Sequence, residues 1–229
     1  MGNDWPRAVL FDLDGTLVES LADILAALNG LLDEAGLRPL SVQEMKPMTG
    51  DGAGALIERA FAFHGAPTPA HGLERFKTLY GEAVCVETHL YPGVLAVLQE
   101  LQQRGCKLGV ATNKPAEHAR AVLRALSVDH LFAAVAGGDS YPARKPDPKH
   151  LLLLLEELGI PALAGVMVGD SENDVYAAQA AGLPVVVCSF GYSKLPVGQL
   201  GGDLIIDRFD ALPAALEALA ANQVARSSS

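Results

Sequence analysis

The feature that most constrains this chain is an alternation of short apolar runs with helical patterns. Five runs have the length and composition of buried strands, at residues 7–11, 107–111, 133–136, 165–168 and 184–188. Helical patterns follow at residues 94–104, 116–126, 148–158 and 173–181. Strands that alternate with helices predict an α/β fold, in which helices cover both faces of a doubly wound parallel sheet.

Residues 19–88 interrupt this alternation. They carry helical patterns at residues 21–35, 41–45, 53–64 and 73–87, and no convincing strand. A wholly helical segment of this size, placed directly after the first strand, predicts an inserted α-helical cap domain. We therefore expect a Rossmann-like core built from residues 1–18 and 89–229, with the cap at residues 19–88.

Polar residues stand where several of the predicted strands end. Asp12, Thr112 and Asp170 each follow an apolar run, and Lys145 lies in the loop after another. Ligands of open α/β sheets bind beyond the carboxyl ends of the strands. An isolated Asp-x-Asp is common in loops, but four such segments in order predict one site on one rim of the sheet.

These residue types suit the cleavage of a phosphate ester. Asp12 would attack phosphorus and form an aspartyl-phosphate. Asp14, two residues further on, would protonate the leaving oxygen and then activate water. The Thr112 hydroxyl and the Lys145 ammonium would offset the charge on the transferred oxygens.

An acidic pair predicts a metal site beside them. Mg²⁺ prefers oxygen ligands and screens the approach of a carboxylate to a dianion. Asp170 is the predicted ligand, and Asp174, one helical turn later, would bind directly or through water. Asp174 also fits the first turn of a helix, where the macrodipole favours an acid.

Four motifs carry a resemblance to a known family. They are Phe-Asp-Leu-Asp-Gly-Thr-Leu at 11–17, Ala-Thr-Asn-Lys-Pro at 111–115, Gly-Gly-Asp at 137–139 before Arg-Lys-Pro at 144–146, and Val-Gly-Asp-Ser-Glu-Asn-Asp at 168–174. Over residues 7–220 the chain resembles the haloacid dehalogenase-like hydrolase superfamily, in its subgroup with a helical cap.

The resemblance implies a role for each motif residue. Asp12 would be the nucleophile and Asp14 the acid and base, which excludes the true dehalogenase branch. Mg²⁺ would be bound by the Asp12 carboxylate, the Asp14 main-chain carbonyl and Asp170. We also expect Leu13 and Asn113, which adjoin Asp12 and Thr112, to contact the phosphate.

A glycine-rich loop in the cap is a candidate for substrate contact. Gly50, Asp51 and Gly52 precede the helical pattern at residues 53–64. Backbone amides before a helix can bind an anionic group of the substrate. A flexible turn between helices explains the same residues equally well.

The expected reaction is the hydrolysis of a small phosphorylated metabolite. The motifs are most similar to those of the bacterial branch that acts on 2-phosphoglycolate, and a sugar phosphate such as N-acetylmuramate 6-phosphate is the next candidate. A phosphosugar mutase of the same superfamily would need additional basic residues in the cap, where only five occur: Arg38, Lys46, Arg59, Arg75 and Lys77. A phospho-accepting receiver module is a remote alternative, because it is far shorter and has no helical insertion.

Composition limits the partners and the compartment. The net charge of −10 disfavours nucleic acid and anionic membranes as partners. Cys85, Cys106 and Cys188 are widely spaced without a Cys-x-x-Cys pair, which is typical of reduced thiols. No signal-peptide pattern occupies residues 1–7, so we expect a cytoplasmic protein.

Overall fold

The computed structural model describes residues 6–227, and a six-stranded parallel sheet lies at its centre. The strands of the described residues are β1 (Ala8–Phe11), β2 (Val18–Glu19), β3 (His89–Leu90), β4 (Lys107–Ala111), β5 (Ala134–Ala136), β6 (Gly165–Gly169), β7 (Val185–Cys188) and β8 (Leu204–Ile206). Six of them form the sheet in the order β5-β4-β1-β6-β7-β8, and all of its neighbours are parallel. The strand β1 is central, because Ala8 pairs with Lys107 on one side and with Gly165 on the other.

Nine α-helices occur within residues 6–227. They are α1 (Leu21–Glu34), α2 (Val42–Met45), α3 (Ala53–Phe63), α4 (Gly72–Glu82), α5 (Val94–Gln103), α6 (Ala116–Ala125), α7 (Lys149–Glu157), α8 (Glu172–Ala181) and α9 (Leu212–Ser227). None of them combines the length and the apolar composition that are needed to cross a bilayer.

The central strand shows why the sheet is covered on both faces. Val9 and Phe11 pack into an apolar cluster with residues of α5, α6 and α9, whereas Ala8 and Leu10 pack with residues of α7 and α8. All four side chains are fully buried. Since alternate residues of a strand point to opposite faces, a continuous apolar run needs helices on both sides. The predicted doubly wound α/β fold is confirmed.

The helices α1 to α4 build an apolar cluster of their own, which includes Leu28, Met45 and Phe61. A short antiparallel pair, β2 with β3, lies where the chain enters and leaves these helices, and Glu19 pairs with His89 there. Sequence reasoning predicted no strand in this segment. The domain boundaries at residues 18/19 and 88/89 stay a prediction, and the name cap is kept for residues 19–88.

One predicted cap helix is too long. The pattern at residues 73–87 predicted a helix to residue 87, but α4 ends at Glu82. The amides of Val86, Glu87 and Thr88 instead donate to the buried Asp23 carboxylate at 2.9–3.1 Å. An acceptor that takes consecutive N–H groups competes with the helix for them.

The strand β8 and the helix α9 were missed. A three-residue edge strand carries little periodic signal, and Ile205 within it is exposed. The three cysteines are free thiols; Cys188 is buried, whereas Cys85 and Cys106 are partly exposed.

Candidate active site

The carboxyl ends of three adjacent strands bring the predicted residues together. Asp12 follows β1, Thr112 follows β4 and Asp170 follows β6, and these strands are neighbours in the sheet. The loop that carries Lys145 reaches the same rim, where the Lys145 ammonium lies 3.0 Å from Asp12 Oδ1. Residues that are more than 150 positions apart in sequence thus meet at one place, as the strand-end argument predicts.

Three carboxylates and one ammonium form the centre of the rim. Oxygens of Asp12, Asp170 and Asp174 lie within 4.8 Å of one another. Lys145 bonds Asp174 Oδ1 at 2.5 Å, and both side chains are almost completely buried. Burial alone would lower the pKa of Lys145, but the charges of Asp12 and Asp174 outweigh it and raise the pKa. Since one cation serves three carboxylates, two negative charges remain, which fits a divalent cation.

The pKa values of Asp12 and Asp170 are raised in this cluster. Burial raises the pKa of Asp12 to about 6, although Lys145 and the Leu13 N–H oppose the rise. Burial, together with the charges of Asp174 and Asp12, holds the pKa of Asp170 well above its ordinary range. A bound cation would favour the ionised form of both groups.

Asp170 is fixed by its neighbours. Its carboxylate accepts bonds from the Thr16 hydroxyl at 2.9 Å and from the Tyr192 N–H at 2.6 Å. Gly15 packs against it with φ of +88°, and a Cβ on Gly15 would lie 2.5 Å from Asp170 Oδ2. A glycine is therefore required beside this carboxylate.

Asp174 has a structural role as well as a place in the cluster. Its Oδ2 accepts bonds from the N–H groups of Asp170 and Ser171 and from the Ser171 hydroxyl, at 2.8–3.1 Å. These contacts hold the first turn of α8, as the helix-terminus alternative predicted.

Asp14 is not a member of the acidic cluster and has different partners. Its carboxylate accepts from the Ser20 hydroxyl at 2.6 Å and from the Lys114 ammonium at 2.9 and 3.1 Å. Burial would lower the pKa of Lys114, but Asp14 and Tyr80 outweigh it and raise the pKa. Sequence reasoning gave Lys114 no role, although it directly follows Thr112 and Asn113 in the quoted motif.

Three other predicted residues make contacts of their own. The Leu13 N–H donates to Asp12 Oδ1 at 2.7 Å. Thr112 lines the cavity, and its hydroxyl oxygen accepts the Lys114 N–H at 3.2 Å. The Asn113 amide donates to the backbone oxygens of Gly50 and Lys145 at 3.1 and 3.0 Å, so it ties the cap to the rim. Whether Leu13, Thr112 and Asn113 bind phosphate stays a prediction.

The cap loop closes over the rim. Gly50 and Gly52 line the cavity, but Asp51 does not. The Asp51 carboxylate instead contacts Lys194 and Arg59, both at 2.5 Å, and Asn173 at 2.7 Å. Burial would raise the pKa of Asp51, but these three partners lower it to about 2. The loop therefore joins the cap to the core, and its contact with substrate stays a prediction.

A cavity of about 90 Å³ separates the rim from the cap. Its rim end carries Asp12, Asp14, Thr112 and Asp170, and its cap wall includes four larger side chains, Ile24, Leu56, Phe76 and Tyr80. The polar end suits a phosphate, and the cap wall limits the size of what is attached to it.

The family model for haloacid dehalogenase-like hydrolases matches residues 9–188. The chain belongs to this family. A phosphoglycolate phosphatase from Rhodospirillum rubrum is 47% identical over 216 residues, covering 90% of this chain and 89% of the relative. One from Caulobacter vibrioides is 42% identical over 211 residues, with the same two coverages.

Solved structures of the same family agree. A predicted phosphoglycolate phosphatase from Haemophilus somnus superposes with a TM-score of 0.86 at 34% identity, covering 94% of this chain and 99% of that one. The structure of CbbY from Rhodobacter sphaeroides in complex with phosphate superposes with a TM-score of 0.76 at 30% identity. The match covers 92% of this chain and 99% of that one. This haloacid dehalogenase-like hydrolase is a phosphoric monoester hydrolase.

Proposed function

We propose that this hydrolase removes phosphate from a small metabolite and that 2-phosphoglycolate is its preferred substrate. The reaction would require Mg²⁺ and would form an aspartyl-phosphate on Asp12. The observation that carries the proposal is the rim itself. Asp12 belongs to an acidic cluster with excess negative charge, and it lies close enough to Asp14 for the Asp14 charge to raise the pKa of Asp12. A nucleophile flanked by a cation site and a proton donor is the arrangement that phosphoryl transfer requires.

Each step of the proposed reaction depends on particular residues of the rim. Lys145 and the Leu13 N–H both hold Asp12 Oδ1, which orients the carboxylate for attack on phosphorus. The bond from phosphorus to the ester oxygen breaks as the bond to Asp12 forms, and Asp14 gives its proton to the leaving alkoxide. Asp14 then takes a proton from water, which attacks phosphorus and frees Asp12.

The acidic cluster provides the ligands for the metal. Asp12, Asp170 and, by the family resemblance, the main-chain carbonyl of Asp14 would hold it. Since Asp174 Oδ2 already accepts three bonds and Oδ1 takes Lys145, we place Asp174 at the metal through water. When bound, Mg²⁺ screens the charge of the phosphate from Asp12 and holds the two in line.

The size of the cavity supports a small substrate. A volume of about 90 Å³ is several times the ~10–15 Å³ that one water needs. The cavity therefore admits a small phosphate ester, for which we propose 2-phosphoglycolate. The relatives from Rhodospirillum rubrum and Caulobacter vibrioides, whose names include phosphoglycolate, support the same choice.

The cap charges disfavour the mutase alternative. Arg38, Arg59, Arg75 and Lys77 each form an ion pair with an acid of the cap. Of the cap cations in the described part of the chain, none lines the cavity. A second phosphate position would therefore receive no counter-charge from the cap.

Phosphate release from a panel of metabolites, with and without Mg²⁺, tests the proposal. We expect the highest kcat/KM on 2-phosphoglycolate, loss of release on chelation, and a fall of at least about 10³-fold in Asp12→Asn, which removes the nucleophile. Asp33→Asn, an exposed substitution in α1, is the control. Metal-independent release, or an Asp12→Asn variant as active as the control, would show that the mechanism is wrong.

A further inference from the structure

One cation that lines the cavity contacts both the rim and the cap. Lys114, in the loop after β4, bonds both Asp14 oxygens. Its ammonium also lies 4.4 Å from the centre of the Tyr80 ring, which α4 contributes from the cap. Both residues line the cavity. An ammonium has three hydrogens, and among the described side chains Asp14 is the carboxylate that pairs with it.

Within residues 6–227 the hydroxyl of Tyr80 donates to no protein acceptor, although its oxygen interacts with the nearby Lys114 ammonium. Tyr80 is 2% exposed, and its oxygen forms no hydrogen bond of normal geometry within residues 6–227. Buried hydroxyls in folded proteins nearly always have a partner. An unpaired donor in the wall of the cavity, next to an ammonium, points to an acidic group of a ligand.

We propose that Lys114 and Tyr80 together bind a carboxylate of the substrate that is attached to the carbon beside the ester oxygen. This inference rests on the proposed function, in which Asp14 protonates that oxygen. Because Lys114 bonds the Asp14 carboxylate directly, a group one carbon beyond the ester oxygen reaches the ammonium. Ile24 and Phe76 of the cap line the same cavity and give its cap wall an apolar character.

Lys194 is the competing cation, since it also lines the cavity. It is already paired with Asp51 at 2.5 Å, and Asp51 holds Arg59 as well. Lys194 is therefore committed to the contact between cap and core, whereas Lys114 lies beside a hydroxyl that donates to no acceptor in the described part of the chain.

Comparison of two substrates of equal length tests the inference. Ethyl phosphate carries a methyl group where 2-phosphoglycolate carries the carboxylate. We expect the wild type to favour 2-phosphoglycolate in kcat/KM by at least about 100-fold, since a site built for a polar group rejects an analogue that lacks it. Tyr80→Phe should reduce this ratio by about tenfold through KM, and Lys114→Met by about 100-fold.

Matched controls separate recognition from general damage. Tyr176→Phe and Lys149→Met change exposed residues of α8 and α7 and should keep the wild-type ratio. Tyr80→Phe keeps the buried ring, so it tests the inference even where Lys114→Met fails to fold. A wild-type ratio near one, or a ratio unchanged in Tyr80→Phe and in a folded Lys114→Met, would overturn the inference. A ratio that collapses in Lys194→Gln alone would assign the carboxylate to Lys194 instead.

A binding measurement keeps this inference separate from the proposed function. Calorimetric titration of 2-phosphoglycolate with Mg²⁺ into Asp12→Asn, and into Asp12→Asn with Tyr80→Phe, needs no turnover. We expect the hydroxyl deletion to raise Kd by about tenfold. Equal Kd values would reject the subsite, whereas a wild type that hydrolyses no phosphate ester would reject the proposed function.

Discussion

The ion-pair cluster on the rim and the ion-pair cluster that joins the cap loop to the core are built differently. On the rim, the side chains of Lys145 and Asp174 are 1% and 0% exposed. On the cap loop, those of Asp51 and Lys194 are 29% and 32% exposed. Both pairs have a separation of 2.5 Å, so burial and not distance distinguishes them.

This difference matches what each side of the cavity has to do. Breaking a buried pair leaves an uncompensated charge in a medium that solvates it poorly, so the rim keeps its geometry. An exposed pair contributes about 0–1 kcal/mol because water replaces the lost partner. This pair therefore opposes separation of the cap loop from the core only weakly, and the entry of substrate and the release of product would require that separation.

Lys145→Met should give the largest effect, because it breaks the buried cluster. We expect kcat to fall by on the order of 10²–10³-fold, since a fixed cation next to the transferred phosphate is lost. The free energy of unfolding should fall by about 3–5 kcal/mol without metal, because three buried carboxylates then repel one another. Added Mg²⁺ should restore more stability to this variant than to the wild type, since a divalent cation replaces the missing charge.

Chemical denaturation with and without Mg²⁺, together with phosphate release, checks this expectation. Lys149→Met, which removes an exposed lysine of α7, should stay within about 0.5 kcal/mol of the wild type. A Lys145→Met variant as stable as this control without metal would contradict the account of the rim as a strained charge cluster.

The rim was predictable from the sequence because backbone topology places its residues. Asp12, Thr112 and Asp170 follow parallel strands, and the order of strands fixes where these positions meet. The sheet and its flanking helices were predictable because the period of the apolar residues indicates which face of each element is buried.

The contacts that the site residues make with side chains and loops elsewhere in the chain were not predictable in this way. Lys114 reaches Asp14, and Tyr192 reaches Asp170, through side-chain directions and loop paths that no local period encodes. The same holds for Asp51, whose partners Lys194 and Asn173 are more than 120 positions away. Asp23 likewise ended α4 earlier than its pattern indicated, because a tertiary acceptor took the amides.

Asp51→Asn should give a smaller effect, because it weakens the exposed cluster. We expect kcat/KM to change by roughly two- to tenfold, as the closed state loses pairs worth about 0.2–1 kcal/mol each. A double-mutant cycle with Lys194→Gln should return a coupling free energy in that range. Asp33→Asn is the matched control in the same cap. A loss as large as that of Lys145→Met would show that the cap loop contributes to the chemical step and does not merely close the cavity.

The pH dependence of the cap contact should be the smallest effect of all. The partners of Asp51 lower its pKa to about 2 in the folded protein, below the ordinary value of ~3.9. A depressed pKa stabilises the contact fully above the ordinary value, and this stabilisation is lost as pH falls from about 4 to 2. The ratio of kcat/KM between wild type and Asp51→Asn should therefore stay constant from about pH 5 to 8, although each profile rises or falls with the rim groups. Parallel pH–rate profiles of the two proteins measure this ratio directly. A ratio that drifts within this interval would mean that the Asp51 carboxyl titrates there, and hence that it is exposed to the charges of the rim while the cap is open.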